Sequence, residues 1–270
     1  MTIPTQAALL LVLGALGTLI SLPFLAPRLP RRRNFADSLI PTAAGLVFLP
    51  IILLTLVPGT SLGIVLDDGG LAYLVYAFAA GGVGFVDDVW GGDEARGFRG
   101  HLGALMGGRL TTGLLKLVVL GCGALVVALF VVDGVFDALL AAVLVAGSAN
   151  LANLFDLRPG RAIKFAGLLL LLALPFVSSW WAMLAALPVI GGAVGLFPFD
   201  VRGRIMLGDS GAAVLGATVG YVVIVGGPGP AWWFFLAVIL VWTAVAEVSS
   251  ISKVIEKVSF LRRFDSWGRG

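Results

Sequence analysis

Charged residues and cysteine are scarce in this sequence of 270 residues. Charged side chains make up 12% of the residues and apolar ones 59%, whereas an ordinary soluble domain has about a quarter and about half. Together with a mean hydropathy of +1.06, this excludes a soluble globular protein and indicates an integral membrane protein. The single cysteine, Cys122, excludes an intrachain disulfide and is most simply a small core residue.

The sequence also lacks the short alternating segments of a membrane β-barrel, which run to about ten residues each. Apolar runs of about 20 residues recur instead, which is the length a helix needs to cross a bilayer. We therefore predict one all-α domain over residues 1–270, a polytopic bundle of about nine transmembrane helices. The predicted spans are residues 7 to 27, 39 to 58, 71 to 88, 111 to 132, 137 to 153, 163 to 178, 180 to 197, 208 to 226 and 231 to 252.

Basic residues are absent from every second loop of this predicted topology. All 18 Lys and Arg residues fall on one side, while the opposite loops hold only Asp67, Asp68 and Asp133. The positive-inside rule makes the basic side cytoplasmic. We expect a multi-pass protein of the cell membrane (plasma or inner) with its N-terminus outside and its C-terminus in the cytoplasm.

The basic face attracts anionic lipids and phosphorylated substrates. For a cluster such as Arg31–Arg33, the alternative is that it only sets the topology. Nothing resembles a nucleic-acid recognition module, so no nucleic-acid partner is expected.

Aspartates mark three of the predicted cytoplasmic openings. Asp87 and Asp88 close an apolar run in GGVGFVDDVWGG, Asp156 follows Asn153 in NLFDLRPG, and Asp209 begins a span in RIMLGDSG. An ionisable group at the mouth of a membrane helix is costly, and it is by default a functional-site hypothesis. Mg²⁺ is usually held by one or two carboxylates plus substrate phosphates, and Arg binds the remaining phosphate charge. The set therefore suggests a magnesium and phosphate site.

Each acidic motif also has a structural interpretation. Asp87 and Asp88 are compatible with a solvated helix end, Asp156 with a turn former, and Asp209 with a helix N-cap. The occurrence of all three motifs at one predicted face favours chemistry.

A loop from Gly91 to Arg109 carries basic residues among glycines. Arg99, His101 and Arg109 are suited to hold a diphosphate together with backbone N–H groups. We expect Arg99 or His101 to face the acidic cluster. The alternatives are a loop that only sets topology and a surface or hydrogen-bonded histidine.

The ordered motifs GFVDD, NLFD and RIMLGDSG resemble the signature of the polyprenyl-phosphate N-acetylhexosamine-1-phosphate transferases, the MraY-, WecA- and TagO-like superfamily known as glycosyltransferase family 4. The likeness extends to IPTAAG at Ile40–Gly45, to Lys116 in TTGLLKL and to VAEVSSISKVI at Val245–Ile255. It implies an enzyme that transfers a sugar-1-phosphate from a UDP-sugar to a membrane polyprenyl phosphate such as undecaprenyl phosphate and releases UMP. The product would serve cell-wall biogenesis, as in peptidoglycan or teichoic acid synthesis.

The resemblance also implies residue roles. Asp209 and Asp88 would hold Mg²⁺, with Mn²⁺ as an alternative ion. Asp87 or Asp88 would deprotonate or position the lipid phosphate, and Asp156 would bind nucleotide or metal within the catalytic set. Substrate contacts are expected from Asn153, Lys116, Arg99, His101, Arg109, Arg158 and Arg161. The expected partners are the two substrates and membrane lipids, and an oligomer is compatible with the sequence.

The sequence departs from the family pattern near the expected sugar-nucleotide site. It has no His-rich loop near its end, LRRFDSWGRG, while LRPGRAIK replaces the second family Asp after NLxD and FDVRGR precedes the GD motif. Two other function classes therefore stay open. One is a degenerate relative that acts as a scaffold or regulator of envelope assembly. The other is a lipid or solute transporter, which the gathering of acids at one face and the lack of an internal repeat disfavour.

Overall fold

Apolar runs form helices throughout the part of the chain that the computed structural model describes, residues 2–56, 66–91 and 111–269. In hydrocarbon every backbone polar group needs a partner, and a helix supplies one locally. The helices are α1 (Ile3–Leu25), α2 (Phe48–Leu56), α3 (Asp68–Trp90), α4 (Thr112–Val131), α5 (Val135–Phe155), α6 (Arg161–Ala173), α7 (Trp180–Met183), α8 (Leu187–Asp200), α9 (Gly208–Val225), α10 (Pro230–Val248), α11 (Ile251–Lys257) and α12 (Ser259–Ser266). The all-α prediction is confirmed.

Seven helical segments among the described residues are long and apolar enough to cross a membrane, so the chain is a multi-pass membrane protein. Helices α7 and α8 form one of these segments, joined by a 3-10 turn. The other two predicted spans correspond to shorter helices, because α2 has 9 residues and α6 has 13. Helix α6 ends in a 3-10 turn around Pro175, a residue that has no N–H to continue a helix. The count of nine and the membrane sidedness stay predictions.

A short β-hairpin, β1 (Arg31–Arg33) and β2 (Leu39–Pro41), connects α1 to α2. Its strands are antiparallel, and its turn is built on Asn34, whose side chain accepts the N–H groups of two later residues. The prediction that a span begins at residue 39 is therefore wrong. Pro41 instead accepts the N–H of Met206 at 2.8 Å, which ties the hairpin to the segment before α9.

Helix α9 lies at the centre of the bundle, with every residue from Ser210 to Val225 buried. Small residues allow its neighbours to approach closely, as is usual for helices packed in membranes. A Cβ atom at Gly216 would lie 2.2 Å from the carbonyl oxygen of Ser148 on α5. A Cβ at Gly84 of α3 would lie 2.5 Å from the carbonyl oxygen of Asp209. The first turn of α9 is therefore held directly against α3.

Two glycines of α3 offer a matched test of this contact. Gly84→Ala places a methyl group into the backbone of α9, so we expect a loss of roughly 1–3 kcal/mol in the free energy of unfolding. Gly82→Ala meets nothing within 4 Å, and the better helix propensity of Ala makes it neutral or stabilising by up to about 1 kcal/mol. Thermal unfolding in detergent compares the two variants. Equal melting temperatures would contradict the close packing.

Candidate active site

One end of the bundle joins α3, α5 and α9 through hydrogen bonds from backbone amides to carboxylates. Asp88 accepts the N–H of Asp209 on Oδ1 and that of Ser210 on Oδ2, both at 3.0 Å. Asp156 Oδ2 accepts the N–H of Gly208, also at 3.0 Å. Amides at a helix N-terminus have no partner within their helix, and the helix dipole favours negative charge there. The three acidic motifs therefore meet at the beginning of α9.

Lys116 of α4 links the other two predicted acids. Its Nζ lies 2.6 Å from Asp209 Oδ2 and 3.7 Å from Asp87 Oδ2. Thr112, one turn earlier on the same helix face, donates a hydrogen bond to Asp87 Oδ1 at 2.5 Å. The capping alternative for Asp209 does not describe the structure. Asp209 is not the N-cap residue of α9, and the residue at that position makes no side-chain capping hydrogen bond. The Asp209 carboxylate contacts Lys116 instead.

A cavity of about 250 Å³ opens beside these acids. Its charged lining residues are Asp88, Asp156, Asp200, Asp209, Arg32, Arg33 and Arg158. The guanidinium of Arg158 lies 4.9 Å from the ring centroid of Phe35, a cation–π contact that joins the hairpin to the loop after α5. The cavity thus combines carboxylates suited to a cation with guanidinium groups suited to phosphate.

Asp156, which follows α5, has a strongly perturbed acidity. Burial raises the pKa of its carboxyl well above the usual range, and the nearby carboxylates of Asp200, Asp209 and Asp88 raise it further. The N–H of Gly208 opposes this increase only in part. Perturbed acids in a cleft mark candidate functional sites. A cation bound here would favour the ionised form.

The oxygen donors fit a magnesium ion that shares its coordination with a substrate. Within the described ranges, no three His, Cys, Asp or Glu side chains form a preformed metal cage. Carboxylates are nevertheless present at Asp88 and Asp209. The amide oxygen of Asn153 is buried and has no hydrogen-bond partner among the described residues. Because Mg²⁺ commonly takes one or two carboxylates plus phosphates and waters, the carboxylates of Asp88 and Asp209 are compatible with it.

The structure places the predicted site residues in different surroundings. Those joined by the contacts above are Asp87, Asp88, Lys116, Asp156 and Asp209. Arg158 lines the cavity, and Asn153 lies on the last turn of α5 before Asp156. Arg161 is directed elsewhere, because its guanidinium hydrogen-bonds Asp265 and Ser252. Arg99, His101 and Arg109 lie outside the described residues.

Three further residues belong to the site although the sequence analysis gave them no role there. They are Asp200, Arg32 and Thr112. Asp200 lines the cavity and accepts the N–H of Gly160 at 3.0 Å, and Arg32 Nη2 donates to the carbonyl oxygen of Asp88 at 2.7 Å. Thr112 makes the hydrogen bond to Asp87 given above. Asp200 ends an apolar run as Asp88 does, and Thr112 stands four residues before Lys116, so both carried a usable signal.

The raised pKa of Asp156 predicts that replacing this residue by the neutral Asn increases the free energy of unfolding, by an amount that depends on pH. A carboxyl with a raised folded-state pKa contributes stability below its ordinary value of 3.8, and that contribution is lost as pH rises through the folded-state pKa. We expect Asp156→Asn to raise the free energy of unfolding at pH 7 by roughly 0.5–2 kcal/mol, with the gain disappearing near pH 4. Asp133→Asn, at an exposed position, serves as the control in thermal unfolding. An Asp156→Asn protein that is less stable than wild type at pH 7 would contradict the raised pKa of Asp156.

Comparison with known proteins yields one family match. The profile described as "Glycosyl transferase family 4" matches residues 70–227, more than half of the chain. The matched range runs from the first turn of α3 to just beyond α9 and contains all three acidic motifs and Lys116. No curated protein matches the chain.

Proposed function

Because the chain belongs to glycosyl transferase family 4, we propose that this transferase moves a sugar-1-phosphate from a UDP-sugar to a membrane polyprenyl phosphate and releases UMP. The sugar is of the N-acetylhexosamine type. The observation that carries the proposal is the convergence of Asp88, Asp156 and Asp209 beside Lys116. This cluster lies at the ends of membrane-spanning helices, where a lipid phosphate and a water-soluble nucleotide meet.

The reaction exchanges one phosphorus–oxygen bond for another. An oxygen of the lipid phosphate bonds to the phosphorus that carries the sugar, and the bridging oxygen leaves with its electron pair on UMP. Phosphoryl transfer needs mainly positioning and charge neutralisation from the protein. Asp87 or Asp88 accepts the proton of the lipid phosphate or positions that group, while Lys116 and Arg158 bind phosphate charge.

Asp209 and Asp88 are the residues that would hold Mg²⁺, or Mn²⁺ in its place. When bound, the ion supplies Lewis-acid neutralisation of phosphate charge. Lys116 keeps the Asp209 carboxylate in one orientation through its 2.6 Å contact. The hydrogen bonds from the α9 amides hold the Asp88 oxygens in place. These two side chains are therefore arranged before a substrate arrives, which lowers the cost of ordering them during the reaction.

We place the reaction on the cytoplasmic face of the cell membrane, in the synthesis of an envelope polymer. The support is the charge asymmetry of the sequence. Near the site, the structure groups Arg32, Arg33 and Arg158 around one cavity. Asp67, Asp133 and Asp137 line a separate cavity between the beginning of α3 and the end of α4. The described lining of the site cavity thus includes arginines beside its carboxylates, whereas the charged residues that line the other cavity are all acidic.

A direct assay tests the reaction. Purified protein is mixed with undecaprenyl phosphate, Mg²⁺ and a panel of UDP-sugars, and UMP release is measured. We expect Asp88→Asn and Asp209→Asn to reduce turnover at least about 100-fold, the usual loss when a transition-state electrostatic contact is removed. Asp133→Asn, in the other cavity, keeps wild-type activity. Wild-type protein that is inactive on every sugar contradicts the proposal, and full activity in both site variants contradicts the assigned roles.

Removal of divalent ions gives a second test. A chelator is expected to abolish UMP release, and added Mg²⁺ to restore it. Binding is also visible without turnover, because a ligand at 100 times its Kd stabilises the folded state by about 2.7 kcal/mol. We expect Mg²⁺ together with a UDP-sugar to raise the melting temperature of the wild type but not of Asp209→Asn. Activity that persists in the chelator would contradict a magnesium role.

A further inference from the structure

A buried ion cluster connects the C-terminal segment Ser259–Arg269, here named the C-terminal strap, to the first turn of α6. Asp265 accepts hydrogen bonds from Arg161 at 2.8 and 2.9 Å and from Arg269 at 3.0 and 2.6 Å. Asp265 is 8% exposed and Arg161 only 4%. Two guanidinium groups on one buried carboxylate are well satisfied as a set, but removing one member leaves a buried charge without its partner.

Lys164, one turn further along α6, binds the end of the strap in another way. Its Nζ donates hydrogen bonds to the carbonyl oxygens of Phe264 and Trp267, at 3.2 and 3.0 Å, and to that of Asp265. Carbonyl groups at a helix C-terminus lack partners in their own helix and favour a cation. The end of α12 is therefore attached to α6 by a second, independent set of contacts.

The strap also makes a direct contact with the turn that follows Asp156. Arg269 Nε donates to the carbonyl oxygen of Pro159 at 2.9 Å. Gly160 and Gly268 both approach Val201, since a Cβ at either would lie 2.9 or 3.2 Å from its side chain. Val201 is only 5% exposed. The turn is thus enclosed between the strap and the end of α8. There the Asp200 carboxylate accepts a hydrogen bond from the N–H of Gly160.

The geometry points to Asp265 and Arg269 as positioning residues for the reaction, which fix the turn from Leu157 to Gly160 and through it hold Asp156 and Arg158 at the cavity. Arg161 then acts as an anchor for the strap and not as a ligand of the substrate. This inference rests on the proposed function. A displacement of about 1 Å at a catalytic group can cost about 100-fold in rate. The contacted Pro159 lies one residue after Arg158 and three residues after Asp156, which is close enough to matter.

The strap itself offers matched arginine substitutions. Arg269→Gln removes the contacts to Pro159 and Asp265, whereas Arg262→Gln makes the same charge change at an exposed position of α12. We expect Arg269→Gln to lower kcat/KM roughly 10- to 100-fold and Arg262→Gln to leave it within about twofold of wild type. Equal activity in the two variants overturns the proposal.

Arg269→Lys separates positioning from stability. Lys keeps a positive charge beside Asp265 but lacks the second arm of the fork that lets Arg reach Asp265 and Pro159 together. We expect it to recover most of the melting temperature lost in Arg269→Gln while its kcat/KM stays low. If kcat/KM follows the melting temperature across the three variants, the strap is only structural and the proposal is wrong.

A labelling experiment reports on the turn without requiring turnover. Val201→Cys in a Cys122→Ser background places one thiol between the turn and the strap, and a water-soluble maleimide measures its exposure. We expect Arg269→Gln to speed the labelling at least about 10-fold, and Arg262→Gln to leave it unchanged. Equal labelling rates overturn the proposal even when UMP is released. Faster labelling in a protein that releases no UMP removes the proposed function but keeps the attachment of the turn.

Discussion

The hydrogen bonds from the first amides of α9 to Asp88 and Asp156 are the interaction on which the site depends. These amides lack partners within their helix, and they lie in partly or fully buried surroundings. A carboxylate in the same surroundings needs donors, and the amides supply them without a countercharge. The contact therefore satisfies both groups and brings α3, α5 and α9 together. The position of the first turn of α9 therefore determines where Asp88, Asp156 and Asp209 lie relative to one another.

This arrangement leaves the site with an excess of carboxylates. Lys116 pairs with Asp209 and Asp87, but Asp88, Asp156 and Asp200 contact mainly amide groups. Burial raises the pKa of the Asp156 carboxyl, and repulsion from the carboxylates of Asp200, Asp209 and Asp88 raises it further. The folded protein is therefore destabilised at neutral pH. Functional sites commonly carry such a cost in stability. A divalent cation bound by Asp88 and Asp209 would reduce this repulsion.

The acidic cluster could be predicted from the sequence because Asp88, Asp156 and Asp209 each stand where an apolar run begins or ends, on the same side of an alternating topology. The partner of Arg161 could not, since Asp265 lies 104 residues away and nothing local distinguishes a buried anchor from a phosphate ligand. The segment from residue 39 was misjudged for a similar reason. It is apolar enough for a span, but Pro41 pairs with Met206, and Ala43 adopts a positive φ of 60°.

The central proposal is that Asp88 and Asp209, from two separate helices, share one divalent ion with the phosphates of a substrate. Electron paramagnetic resonance of Mn²⁺, titrated into the protein with a UDP-sugar present, measures that shared site most directly. The account predicts one tight Mn²⁺ site whose affinity falls in both Asp88→Asn and Asp209→Asn. Binding that is unchanged in both variants would contradict it.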